Sequence, residues 1–126
     1  MHLIKREQLQ QVKVKGRVLN KVCGKTDAGV KTDDMIAIFA RFSPEYGRME
    51  THYHETEYMY VIDAKSAVVS YGDTLADLDR KRTLKKGDIL RPHNGEWHRF
   101  DFTSPDGFVD FLNFFAVPES HVVSDE

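Results

Sequence analysis

From Lys13 onward the chain is written as short apolar-alternating runs separated by turn residues, a pattern that narrows what it can fold into more than any other feature. Candidate strands are Arg17–Val22, Met35–Phe42, Met49–His54, Tyr58–Ile62, Ala67–Tyr71, Asp88–Arg91, His98–Phe102 and Phe108–Val117. The segments Gly24–Gly29, Ser43–Gly47, Pro92–Gly95 and Ser104–Gly107 punctuate them with residues that reverse a chain. In Met35–Phe42, Ile36, Ile38, Ala40 and Phe42 share one face while Met35, Ala37, Phe39 and Arg41 share the other. Both faces therefore read as covered, which suits a sandwich or barrel. Only Thr74–Arg82 reads as a turn or two of helix. Short strands in close succession, without strand-helix alternation, predict an all-β fold. The 126 residues read as one domain, with 1–12 as an N-terminal arm.

Charge excludes some partners. Eighteen Lys and Arg against 20 Asp and Glu give a net charge of −2, too little positive field to recruit nucleic acid or an acidic membrane surface. No apolar stretch approaches the roughly 20 residues needed to cross a bilayer, and Met1–Glu7 carries no apolar signal core. Cys23, the single cysteine, can make neither an internal disulfide nor a cysteine-rich zinc site, so a reducing, cytoplasmic setting is expected. The charged stretch between Asp77 and Asp88 mixes signs and reads as a solvated face. No nucleophile elbow, phosphate-binding glycine loop, HExxH or paired-cysteine motif is present.

The histidines are more informative. His52 and His54 are one residue apart, which in a strand puts both imidazoles on one face about 7 Å apart at the backbone. Thr51, Tyr53, Tyr58, Tyr60 and Val61 support the strand reading. Imidazole nitrogen with carboxylate oxygen is a ligand set for zinc, nickel, iron or manganese. Glu57 is the leading carboxylate, because a turn after His54 can bring it back toward the same ion. Glu55 is an alternative, and Glu50 shares strand parity with the two histidines. His98, following the Pro92–Gly95 turn, can supply a third imidazole. His93 reads as an ordinary turn residue. Arg41 and Arg91 have apolar neighbours, so one could face a barrel interior and grip an oxyanion; the alternative is an exposed arginine.

Two segments in order resemble the motifs of the cupin superfamily. The first runs Gly47-Arg48-Met49-Glu50-Thr51-His52-Tyr53-His54-Glu55-Thr56-Glu57 and continues through Ile62; the second is Gly87-Asp88-Ile89-Leu90-Arg91-Pro92-His93-Asn94-Gly95-Glu96-Trp97-His98. The resemblance implies a small β-barrel of the double-stranded β-helix, or jelly-roll, type. It further implies one divalent metal ion held by His52, His54, Glu57 and His98. The sequence departs from the family pattern in its gaps of four residues before His52 and two between His54 and Glu57, with Ala64 and Phe102 where the family has glycine and asparagine.

Four protein ligands would leave positions open for a small-molecule substrate. The resemblance implies a metalloenzyme of isomerase, epimerase, dioxygenase, decarboxylase or lyase type acting on a small polar metabolite. The alternative is a non-catalytic binding or sensing module. Abundant phenylalanine in the last strand, and an open barrel edge, lead us to expect a homodimer.

Overall fold

A computed structural model describes residues 1–116 together with the backbone of 121–123. Its strands are β1 (Gln11–Val14), β2 (Arg17–Gly24), β3 (Val30–Lys31), β4 (Ile36–Phe42), β5 (His52–His54), β6 (Glu57–Lys65), β7 (Ala67–Gly72), β8 (Arg80–Thr83), β9 (Ile89–Leu90), β10 (Trp97–Phe102), β11 (Phe108–Phe115) and β12 (His121–Val123). They form two sheets. One follows the order β1-β2-β4-β11-β6-β9, with β3 beside β2; the other follows β12-β5-β10-β7-β8. All pairings are antiparallel except β2 with β3. The chain is all-β, as the alternation predicts, and its two sheets form the barrel that the resemblance implies.

Several expectations shift in detail. Residues 74–82 make no helix; Thr74 bridges Asp77 and the chain then enters β8. Arg80 and Arg82 do not hinder a strand there, because β8 is an exposed edge. β1 begins at Gln11, inside the segment read as an arm; its Gln-Val-Lys-Val alternation spans only four residues, all exposed. The last residue of the Phe108–Val117 strand, Val117, lies outside the described residues.

The inward faces divide the barrel into two halves. Ala40 and Phe42 from β4, Met59 and Val61 from β6, Ala67 and Val69 from β7, Phe100 from β10, and Val109 and Phe111 from β11 make a hydrocarbon core together with Met49 and Leu84. Phe100 stacks obliquely on Phe42 and Phe111, each at 4.8 Å between ring centres. Further along the same faces come His54, Glu57, Asn113 and Phe115. The filled half supplies the stiffness that holds the polar half in place.

Two tethers anchor this frame. Arg6 crosses the outer face and donates to both carboxylate oxygens of Asp110 at 2.6 and 2.7 Å, its guanidinium lying 4.3 Å from the Phe39 ring centre. The Asp110 contact holds Arg6 more firmly protonated than a free guanidinium. On the other tether, Gly16 turns β1 into β2 at φ +81°, where an added Cβ would stand 2.6 Å from the Met49 backbone nitrogen and Cα. Met49 Sδ in turn accepts from the Phe100 amide at 3.1 Å, so the segment entering β5 is held from both sides.

This contact predicts a graded pair of substitutions. Gly95 also has positive φ, +79°, but open space where a Cβ would stand. Gly95→Ala should cost about 1 kcal/mol from backbone conformation, whereas Gly16→Ala, which must also displace Met49, should cost roughly 3 kcal/mol. Urea denaturation reads the difference; equal losses would contradict the close packing at Gly16.

Candidate metal centre

His52 and His98 are register partners on the adjacent strands β5 and β10, which is why their rings meet at 4.7 Å between centres. His54, two residues on, faces the same way, 5.1 Å from His52 and 6.5 Å from His98. All three are buried. Phe115 closes the cluster from the opposite sheet, 4.8 Å from the His54 ring. Tyr53 and Trp97, of opposite parity, pair with each other at 4.7 Å instead.

The carboxylate arrives by a corner. After His54 the chain leaves one sheet, and at Glu57 it begins a strand of the other, so their inner faces oppose one another. Two residues suffice for this crossing because Thr56 takes φ +49°, a conformation uncommon for a β-branched residue. Asn94 Oδ1 accepts from the Thr56 amide at 2.9 Å and fastens the corner to the turn before His98. The shortened gap noted in the sequence is therefore accommodated by a left-handed residue. Glu57 is 2% exposed and its Oε1 stands 3.9 Å from His98 Nε2. Glu55 remains half-buried at the corner.

His98 is oriented through its second nitrogen. Nδ1 lies 3.3 Å from the Glu96 carbonyl oxygen, an acceptor, which directs Nε2 toward the Glu57 carboxylate. The buried Glu96 side chain, absent from the sequence reading, accepts from the His93 amide at 3.2 Å and braces the same turn. His93 itself is exposed.

Glu50 lies on the other flank of the cluster. Its Oε1 is 3.8 Å from His52 Nδ1 and accepts from Arg17 at 2.9 Å. Arg17 is thus the arginine that enters the barrel. Arg41 and Arg91 instead lie over the rings of Phe108 and Tyr58, at 4.2 and 5.1 Å. Sequence reasoning passed over Arg17 because its apolar partner, Phe42 across the β2–β4 ladder, is 25 residues away in the chain.

A cavity of about 130 Å³ adjoins these groups, lined by Arg17, Leu19, Ile38, Phe42, Met59, Phe100, Asn113 and Phe115 beside His52, His54 and Glu57. The donor set, neutral imidazole with carboxylate, suits a divalent transition ion. Among the described residues, no group of three or more His, Cys, Asp or Glu side chains stands close enough to hold a metal ion as placed. Ligands with bonds of about 2.1 Å stand about 3.0–3.4 Å apart on one ion, so the 3.9 Å between His98 Nε2 and Glu57 Oε1 is slightly wide. The residue types fit such an ion, which would require that gap to close on binding.

With this geometry the fold is that of the cupin superfamily. Among solved structures, the chain is similar to the polyketide cyclase RemF from Streptomyces resistomycificus at 24% identity and a TM-score of 0.71, covering 100% of this chain and 88% of that one. A cupin-superfamily sugar phosphate isomerase from Silicibacter pomeroyi gives 16% identity and 0.67, over 99% and 83%. Oxalate decarboxylase from Lactobacillus farciminis gives 18% and 0.68, over 93% of this chain and 34% of that one. At these identities the likeness is one of fold. No family model and no curated protein matches the chain. No helix among the described residues is long and apolar enough to cross a membrane.

The Arg17–Glu50 pair makes its own prediction. Both side chains are almost enclosed, so Arg17→Met should strand the Glu50 carboxylate and cost about 3 kcal/mol. Arg17→Met combined with Glu50→Leu should recover most of that loss. Additive losses in denaturant unfolding would show that the two residues act independently.

Proposed function

We propose that this chain is a cupin metalloenzyme in which His52, His54, Glu57 and His98 hold one divalent ion, Zn, Ni, Fe or Mn, and a small metabolite reacts in the adjoining cavity. The single observation that carries the reading is the orientation of His98: its Nδ1 is engaged by the Glu96 carbonyl, which directs Nε2 toward the Glu57 carboxylate. Such an arrangement presents donors to a cation. When bound, a divalent ion supplies Lewis acidity toward a substrate carbonyl or enediol oxygen.

The chain's own residues do the rest. Glu57 offsets the positive charge, and the Arg17–Glu50 pair flanks His52. Leu19, Ile38, Phe42, Met59, Phe100 and Phe115 limit water beside the donors, where charge interactions then act over a low dielectric. Two neighbours of similar length are named for cyclisation and sugar phosphate isomerisation, which favours isomerase- or lyase-type proton transfer in this proposal.

The test is elemental analysis of natively purified protein beside the His52→Ala, His98→Ala double variant. About one divalent ion per chain is expected in the parent, and about a tenth of that or less in the variant, with circular dichroism showing both folded. Equal metal in the two, or none in the parent, would contradict the proposal.

The same proposal includes a reducing, cytoplasmic setting, supported by the lone Cys23, and a homodimer. Support for the dimer comes from the outer face, where exposed Tyr58 pairs with Phe114 and Tyr60 pairs with Ile89 in register, an apolar patch that self-association would cover. Sedimentation velocity should find a dimer in the parent and a monomer in the Tyr60→Lys, Ile89→Lys variant. An unchanged sedimentation coefficient would remove that face from the account.

A further inference from the structure

Asn113 stands out among the groups lining the cavity. It lies on β11 two residues before Phe115, between Ile38 and Met59 in register, and is 6% exposed. Its Oδ1 is buried with no hydrogen-bond partner among the described residues, although the side chain lines the cavity. A buried acceptor without a donor lowers stability, and leucine of similar size would pack against the same neighbours without that penalty. Around Asn113 the walls are hydrocarbon from Leu19, Ile38, Ala40, Phe42, Met59 and Phe100, while the charged and imidazole groups Arg17, His52, His54 and Glu57 line the rest, Arg17 being engaged by Glu50. A cavity of about 130 Å³ is close to the 150 Å³ of an engineered apolar cavity that takes benzene.

We infer that Asn113 is a ligand-reading residue: its Oδ1 accepts a hydrogen bond from the hydroxyl of an uncharged, largely apolar ligand whose bound part is about one ring in size. This rests on the proposed use of the cavity for small molecules. It does not depend on metal, so the test uses protein freed of metal by chelation and then, separately, protein as purified.

Phenol and toluene have nearly the same shape and differ in the donor. Their affinities are measured by titration calorimetry or ligand-observed NMR on the parent and on Asn113→Leu. The expected result is that the ratio of phenol to toluene affinity falls at least about fivefold in Asn113→Leu, the worth of one hydrogen bond. Its melting temperature should stay unchanged or rise, an outcome opposite to the loss of a structural hydrogen bond. In the parent, the Asn113 side-chain amide resonance should move with phenol and not with toluene, which keeps the test valid if the variant folds poorly. An unchanged ratio, failure of phenol to bind, or displacement of phenol by ribose 5-phosphate would overturn the inference. Protein that holds no metal as purified yet shows the phenol preference would count against the metalloenzyme reading alone.

Discussion

Gathering three imidazoles and a carboxylate inside a hydrocarbon barrel is the constraint around which the rest of this structure is arranged. Such groups lose hydration on burial, and only mutual contacts or a shared cation offset that loss. The fold meets the demand by paired sheets whose inner faces oppose one another. His52 and His98 come together through a ladder register, His54 through strand parity, and Glu57 through a two-residue corner between the sheets. Phe42, Phe100 and Phe111 fill the space beyond them and keep the walls from collapsing.

Around the four residues runs a set of bracing contacts from the backbone and from other carboxylates. Asn94 holds the Thr56 corner, the Glu96 carbonyl orients the His98 ring, and Arg17 engages Glu50 beside His52. These partners orient the inner groups without belonging to them, as outer contacts commonly do around coordinating side chains. They also link the two motif segments directly, since Asn94 comes from the second and Thr56 from the first.

Much of this was legible in the sequence, for identifiable reasons. Apolar residues recur along β4, β10 and β11 because their inner faces are buried, so these strands were readable, whereas exposed β8 carries no such recurrence and β1 only four residues of it. The pairing of His52 with His54 was readable because strand parity is a local property, whereas His98, 46 residues from His52, was tied to them only by the resemblance of the two motif segments. Arg17 and Asn113 were missed as parts of the site because their roles depend on cross-strand neighbours far away in the chain, and Glu96 because bracing a turn leaves no mark in residue type or spacing. Arg41 and Arg91 drew attention for their apolar surroundings, and the structure turns that company outward into ring stacking.

The central claim is that these four side chains share one cation. X-ray absorption at the metal edge of the zinc-loaded protein tests it most directly. The account predicts nitrogen and oxygen neighbours at about 2.0–2.2 Å with the multiple-scattering pattern of about three imidazoles. A first shell without imidazole scattering, or one containing sulfur from Cys23, would contradict it.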